Sequence, residues 1–152
     1  MLNIDTIDRR ILAILQADCT LSMDAIAERV SLSRNAVWRR IRLMEDSGLI
    51  RGRVALLDPD ALDLGLDVIM MVRTTDHRPD WLERFARALR DFPEIQGAYR
   101  MTGDLDYLIR ARVRDVKAYD ALYQRLTRRV DLADVSASFV MEELKDTTAL
   151  PL

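Results

Sequence analysis

The first fifty residues repeat apolar and polar positions with the period of an α-helix. Four apolar side chains recur at spacings of three and four, at Ile4, Ile7, Ile11 and Leu15. This spacing predicts an amphipathic helix, which Asp5 can cap. Two further helices are predicted after the N-cap residues Ser22 and Ser33, and the last of them ends at Gly48. The pattern therefore predicts a compact three-helix unit in which a tight turn joins the second helix to the third.

The period changes after the third helix. Residues 49–56 are typical of a short β-ribbon, or wing. Residues 57–66 contain the turn-forming pairs Asp58-Pro59 and Leu64-Gly65, with a brief helix expected at 59–64. We therefore expect a first domain over 1–57, a linker over 58–66 and a second domain over 67–152.

The second half of the chain alternates between strand and helix patterns. Strands are predicted within 67–75, 95–101, 106–113 and 135–141. Helices are predicted within 79–92, where Pro79 suits the first turn, and within 115–129. The order βαββαβ predicts a ferredoxin-like unit with an antiparallel sheet. The chain is therefore expected to be an α+β protein, with a winged helix-turn-helix domain followed by a ferredoxin-like domain.

Charge is unevenly distributed along a chain whose formal net charge is −2. Between residues 29 and 53, seven arginines face only two acidic residues, Glu45 and Asp46. A local basic patch on an acidic chain indicates a polyanionic partner for that region alone.

The remaining composition argues against several classes of protein. No apolar run approaches the roughly 18 to 20 residues of a membrane span, and the N-terminus lacks a secretory pattern, so we expect a cytoplasmic protein without a membrane partner. Cys19 is the only cysteine and His77 the only histidine. We therefore expect no disulfide, no metal site, no cofactor and no catalytic residue.

The third helix carries the residue types best suited to nucleic acid. Its inward face is predicted to hold Val37, Ile41 and Met44. Its outward or lateral positions are Arg34, Asn35, Trp38, Arg39 and Arg42. Arginine and asparagine can form bidentate hydrogen bonds with guanine and adenine in the major groove, which admits a helix. Phosphate contacts are expected from Arg39, Arg40, Arg51 and Arg53.

Two further residues belong to this predicted DNA-binding set. Ser33 caps the helix that carries it. Trp38 either packs against a neighbouring helix or presses on DNA sugar, and packing is favoured because tryptophan usually buries most of its ring. The alternative that the arginines form only a solvated face is disfavoured, because they coincide with a three-helix unit on an otherwise acidic chain.

Six short motifs in order carry a resemblance to a known family. The N-terminal ones are Ile7–Leu12, the stretch from Leu32-Ser33 to Arg39-Arg40, and Gly48–Ile50 followed by Leu57–Pro59. The C-terminal ones are Thr102–Tyr107, Ser138–Met141 and Thr147–Leu152. Together they resemble the Lrp/AsnC family of leucine-responsive and asparagine-responsive regulators. The chain departs from the family pattern at Ser31, where glycine is usual, and at Arg34-Asn35-Ala36, which replaces a common Pro-Thr-Pro stretch.

The resemblance implies a function for the second half. It would be a RAM domain that pairs through its sheet into homodimers, which assemble further into tetramers, octamers or higher rings. An amino acid would bind in a cleft between dimers, near the Thr102–Asp104 turn and the last strand, and so change the occupancy of double-stranded DNA.

The residues near this turn suit a free amino acid. Asp104 or Asp106 can hold its ammonium group, and backbone N–H groups around Gly103 can hold its carboxylate. Ser136 and Ser138 can supply hydroxyl groups from one face of the last strand. The predicted effector-binding set is Met101, Thr102, Gly103, Asp104, Asp106, Tyr107, Ser136 and Ser138.

Two alternatives stay open at this point. The chain is either an amino-acid-responsive regulator or a DNA-binding, chromatin-organising protein that needs no effector. An enzyme similar to sirohaem decarboxylases, which share the two-domain architecture, is disfavoured because the chain shows no acid–base or haem-ligand constellation.

Overall fold

Three helices form the first part of the fold, and a side chain caps the start of each. The structure, a computed structural model, describes residues 3–152. The helices are α1 (Thr6–Ala17), α2 (Met23–Val30) and α3 (Arg34–Asp46). The predicted caps Asp5, Ser22 and Ser33 accept hydrogen bonds from backbone N–H groups of the first turns.

The three helices share one hydrophobic core. Its buried members are Ile11, Leu12, Ile26, Ala27, Val30, Val37, Ile41 and Met44. Full burial of a large apolar side chain is worth about 1.5–3 kcal/mol, so this cluster holds the helices together. The inward face predicted for the third helix, with Val37, Ile41 and Met44, is confirmed.

The turn between α2 and α3 passes through a left-handed residue. Ser31 has a φ of +57°, in a region that glycine adopts at lower cost. The backbone N–H of Leu32 donates to the carbonyl oxygen of Ala27 over 3.0 Å and satisfies a carbonyl group at the end of α2. The turn therefore ends α2 sharply, and α3 begins after the Ser33 cap.

The segment after α3 differs from the expected ribbon. Gly48 has a φ of +75°, consistent with the predicted end of α3. Among the described residues no strand lies between α3 and Leu66, so the β-ribbon expected over 49–56 does not form. A ribbon needs a partner for its backbone N–H and C=O groups, and no described strand pairs with this segment. A single 3-10 turn, Asp60–Leu62, lies within the predicted helix at 59–64.

The second part of the fold has the predicted βαββαβ order. Its elements are β1 (Leu66–Arg73), α4 (Pro79–Asp91), β2 (Ile95–Arg100), β3 (Tyr107–Val113), α5 (Val116–Thr127) and β4 (Asp134–Phe139). The sheet is antiparallel with the strand order β2-β3-β1-β4. The predicted ferredoxin-like fold is confirmed.

The two helices of this part cover one face of the sheet. Alternate residues of β1 and β3 point into that core, among them Val68, Met70, Ile109 and Ala111. Their neighbours in sequence, such as Met71 and Leu108, lie on the opposite face and are only half-buried. One face of the sheet is therefore not covered by the elements of this unit.

The chain divides into two units that differ from the predicted domains at the C-terminal end. One unit contains the chain up to Leu56 together with Lys145–Leu152, and the other is Leu57–Leu144. The last eight residues, expected in the second domain, join the first because the Gln16 amide both accepts from the Leu150 N–H (2.6 Å) and donates to the Leu150 carbonyl (3.1 Å). Positions 1 and 2 of the predicted first domain lie outside the described residues. Over the described part of the chain, the helices are too short and too polar to cross a membrane.

Candidate DNA-binding surface and effector site

The exposed side of α3 gathers most of the predicted DNA-binding residues. Because α3 buries Val37, Ile41 and Met44, its other sides are free of the core. The exposed members, which we call the outer face of α3, are Arg34, Asn35, Trp38, Arg39 and Arg42. Ser33 stands at the N-terminus of the same helix, where its side chain accepts a hydrogen bond from the N–H of Ala36. Its hydroxyl oxygen is thus occupied as a cap.

The arginines of this region differ in their partners. Arg34, Arg42 and Arg53 form ion pairs with acidic residues at 3.8, 3.3 and 2.8 Å, respectively. Within residues 3–152, no carboxylate oxygen lies within 4.0 Å of Arg39 or Arg51. Exposed ion pairs contribute little free energy, so the paired arginines can exchange their partners for phosphates. Arg39 and Arg51 can contact phosphates without first leaving an acidic partner.

Arg40 has a structural role that the sequence did not reveal. Its Nη1 donates to Asp5 and Asp8, each over 2.8 Å. These hydrogen bonds, first that to Asp8 and then that to Asp5, raise the pKa of Arg40. The pKa of Asp5 is lowered, chiefly by the N–H of Asp8 and then by Arg40. This internal network argues against the predicted phosphate contact of Arg40.

Trp38 contradicts the favoured prediction that it packs against a neighbouring helix. Its exposed fraction is 56%, and it is not among the residues that pack on the core of the three helices. Because inward positions of α3 are filled by Val37 and Ile41, the indole has no place in that core.

The candidate effector site centres on residues 101–106, which we call the 101–106 turn. The backbone N–H of Met101 donates to the carbonyl of Asp106 over 2.8 Å and closes the turn. Gly103 has a φ of +101°, a conformation that requires glycine. Met101, Thr102, Gly103 and Asp104 are exposed. An exposed carboxylate and an open glycine backbone therefore stand side by side, as an amino-acid site requires.

Two members of the predicted effector set are engaged elsewhere. Tyr107 is only 7% exposed and packs edge-on against Phe85 inside the core, because the first residue of β3 faces the helices. This burial argues against its predicted effector contact. One oxygen of Asp106 accepts the N–H of Thr74 over 2.8 Å, which anchors the turn to the end of β1. Of the two predicted carboxylates, Asp104 is thus the more available.

Arg73 joins this site although the sequence analysis did not select it. Its Nε donates to the carbonyl of Asp104 over 3.0 Å, and its guanidinium lies 3.8 Å from the carboxylate of Asp134. The only sequence signal was a charge that ends an apolar strand. Arg73 therefore links the 101–106 turn to the start of β4.

The two predicted serines lie along β4, on the face of the sheet away from the helices. Ser136 pairs with Met71, and Ser138 pairs with Ile69, two residues further along the strand. Since a strand rises roughly 3.3 Å per residue, Ser136 is the nearer of the two to the Arg73 end. The structure therefore favours Ser136 over Ser138 as a neighbour of the turn.

Metal chemistry finds no support in the described part of the chain. Among residues 3–152, no group of three histidine, cysteine, aspartate or glutamate side chains is placed to hold a metal ion. The two sites consist instead of arginines, a tryptophan, a turn and carboxylates.

A three-helix unit with an arginine-bearing outer face, joined to a separate α+β unit, defines the class of DNA-binding transcription regulators. Comparison with protein families agrees with both halves. A model described as winged helix-turn-helix DNA-binding matches residues 4–51, and the Lrp/AsnC ligand binding domain matches residues 67–150. The chain belongs to the Lrp/AsnC family.

Individual relatives cover nearly the full chain. The DNA-binding transcriptional activator DecR of Escherichia coli is 46% identical over 98% of this chain and 99% of its own. The crystal structure of an AsnC family transcriptional regulator from Agrobacterium tumefaciens is 47% identical, covers 97% of both chains and superposes with a TM-score of 0.95. A transcriptional regulator from Neisseria meningitidis, solved in complex with L-Met, is 35% identical over 98% of this chain and 97% of its own, with a TM-score of 0.93.

These matches confirm the predicted family and the function of a DNA-binding transcription regulator. The expectation of a regulator rather than an enzyme is likewise confirmed, because the relatives are named as regulators. The individual residues of the two sites stay predictions.

Proposed function

We propose that homodimers of this chain bind double-stranded DNA through α3 and that an amino acid bound at the 101–106 turn controls this binding. The observation that carries the proposal is the pair Arg39 and Arg51, which are exposed and have no acidic partner among residues 3–152, on a chain of net charge −2. Their charge is available for phosphates. In this proposal the unit that contains α1 to α3 supplies the DNA contacts, and the unit Leu57–Leu144 supplies the effector site.

The outer face of α3 has the chemistry of a recognition helix. The second helix of a helix-turn-helix lies in the major groove, and its N-terminal residues reach base edges. Asn35 and Arg42 suit adenine and guanine, while Arg39, Arg51 and Arg53 suit the flanking phosphates. Arg34 is exposed in the first turn of α3 and can reach either.

The 101–106 turn has the chemistry to hold a free amino acid. The Asp104 carboxylate suits the ammonium group, and the backbone around Gly103 can approach the carboxylate closely. Thr102, Met101 and Ser136 are exposed nearby and can contact the rest of the ligand. The relative solved with L-Met supports an amino acid as the ligand class.

The uncovered face of the sheet supports assembly. It presents the largely apolar side chains of Met71, Leu108 and Tyr99, which are cross-strand neighbours. The helices α4 and α5 cover the opposite face. We propose that two protomers pair through this face and that dimers associate further into tetramers, octamers or larger rings. A dimer would also present two recognition helices to two half-sites of DNA.

The DNA part of the proposal is tested by a salt titration. The wild-type protein and the Arg39→Ala/Arg51→Ala double variant are titrated onto a fluorescent duplex at several salt concentrations. Each lost phosphate contact removes roughly one unit from the slope of log K against log salt. The double variant loses two contacts in each protomer, so we expect the slope for a bound homodimer to fall by about four.

Arg87→Ala is the matched control for this experiment. Arg87 is equally a surface arginine, but it lies on α4 and pairs with Glu83 over 3.0 Å. We expect its slope to equal that of the wild type. A wild-type protein that ignores DNA even at low salt would refute the proposed DNA binding, and an unchanged slope in the double variant would refute the roles of Arg39 and Arg51.

The effector part is tested by calorimetry with L-methionine and then with the other amino acids. If one binds, Asp104→Asn should weaken it about ten- to a hundredfold, the worth of a charge-assisted hydrogen bond. Asp120→Asn, at an exposed carboxylate on α5, should bind like the wild type. Absence of binding by all twenty would leave a DNA-binding protein that needs no effector.

A further inference from the structure

The two tryptophans of the chain occupy opposite kinds of surroundings. Trp81 is 1% exposed, stacks on Phe85 at a centroid distance of 4.9 Å, and donates its indole N–H to the carbonyl of Asp131 over 3.0 Å. Trp38 is 56% exposed, and within residues 3–152 its ring has no aromatic partner and its N–H no hydrogen bond. Trp81 is therefore part of a core, whereas nothing in the fold requires a tryptophan at position 38.

The position of Trp38 on α3 places it among residues that suit base edges. At 3.6 residues per turn, Asn35 lies one turn before it and Arg42 one turn after it on the same side of the helix. Both are exposed. A large apolar ring thus stands between two polar side chains whose preferred partners are bases.

The major groove offers one apolar group to such a ring. Each base pair presents hydrogen-bond donors and acceptors there, and only thymine adds an apolar C5-methyl group. An aromatic ring that covers this methyl removes apolar surface from water, whereas a cytosine or adenine at the same place would leave a polar edge unpaired. We infer that Trp38 determines specificity by covering the C5-methyl group of a thymine in the target site.

This inference rests on the proposed DNA binding and adds the identity of one base. Asn35 and Arg42, which flank Trp38 on α3, would read purines on either side of the thymine. Loss of Trp38 should relax the preference at one position and leave the phosphate contacts of Arg39 and Arg51 in place.

The test begins with selection of bound sequences from a random duplex library by the wild-type protein. The same selection is repeated with Trp38→Ala and with Trp38→Phe, which keeps a ring. We expect the wild-type motif to contain a thymine that Trp38→Ala no longer enriches and that Trp38→Phe enriches partly. Leu43→Ala is the matched control, because Leu43 is also 56% exposed on α3 but lies on a different side of the helix. It should keep the thymine.

The second step removes only the methyl group. In the selected site, deoxyuridine replaces the thymine, and affinities are measured for both proteins. The wild type should lose about fourfold in affinity, the effect of one buried methyl group, and Trp38→Ala should lose nothing.

Two results would overturn the role of Trp38 and leave the proposed DNA binding standing. One is an equal loss of affinity for the deoxyuridine site in both proteins, and the other is a thymine preference that survives in Trp38→Ala. A wild-type protein that enriches no sequence from the library would instead overturn the proposed sequence-specific binding, and the inference with it. Because Trp38 is exposed, its variants should fold, and the slope of affinity against salt, equal to that of the wild type, would show that they still bind DNA through phosphates.

Discussion

Arg39 and Arg40 are neighbours in sequence, yet they point their charges to different partners. Arg39 faces solvent, whereas Arg40 holds the start of α1 to α3 through Asp5 and Asp8. The Asp5–Asp8 pair already forms a reciprocal cap, in which each side chain accepts the other's backbone N–H. Arg40 therefore ties the start of α1 to α3 across 32 residues from Asp8. The two arginines should respond differently to substitution.

Replacement of Arg40 by alanine should lower the free energy of unfolding by about 1 to 2 kcal/mol, because the nearly buried Asp8 loses a charged hydrogen-bond donor. Arg39→Ala should leave it within about 0.5 kcal/mol of the wild type, as is usual for surface substitutions. Urea unfolding of both variants measures the difference. Equal stabilities would show that the network contributes nothing.

The pH dependence of the same variants follows from the lowered pKa of Asp5. A carboxyl group whose pKa is depressed by folding stabilises the folded state above its ordinary pKa of 3.8, and this stabilisation is lost as the pH falls through the depressed value. The stability gap between wild type and Arg40→Ala should therefore be present at pH 7 and narrow below pH 3.8. A gap that stays constant under acid would contradict the role of the Asp5–Arg40 hydrogen bond.

At the scale of the elements, the turn between α2 and α3 stores strain at Ser31. A residue with a Cβ pays about 1 kcal/mol or more in the left-handed region, and glycine does not. Ser31→Gly should thus unfold with a free energy about 1 kcal/mol higher than Ser31→Ala. Thermal or urea unfolding of the two variants makes the comparison, and a more stable alanine variant would show that the positive φ is not retained in solution.

Elements that depend on local sequence were predicted well. Helix caps, the apolar faces of α1 and α3, and the order of strands and helices along the chain follow from residues a few positions apart. The β-ribbon over 49–56 was not, because a strand pair depends on a partner that the local pattern does not specify. Tyr107 was predicted at the effector site because it belongs to the Thr102–Tyr107 motif, and the side of β3 on which it lies was not considered. The exposure of Trp38 and the partners of Arg40 were not foreseen, because burial and a contact 32 residues away depend on tertiary structure.

At the scale of the whole molecule, residues 3–152 contain two hydrophobic cores that share no buried residue. Ile26→Ala removes a fully buried side chain from the first core and should cost about 2–5 kcal/mol there. DNA binding should weaken steeply in this variant at 37 °C. The protection of β1 and β3 from hydrogen exchange, which reports the stability of the second unit, should stay unchanged.

Leu122→Ala is the counterpart in the second core, where Leu122 is also fully buried. It should lower protection of β1 and β3 and leave that of α1 to α3 in place. Parallel loss of protection in both units by either variant would show that the two cores unfold as one.

The different exposure of the two indoles makes the intrinsic tryptophan fluorescence of the protein informative. Excitation near 295 nm reaches only tryptophan, so emission comes from one ring in water on α3 and one ring sealed beneath the sheet. A water-soluble quencher would reduce the emission of Trp38 and spare that of Trp81, so α3 and the second unit can be followed separately in one unlabelled sample.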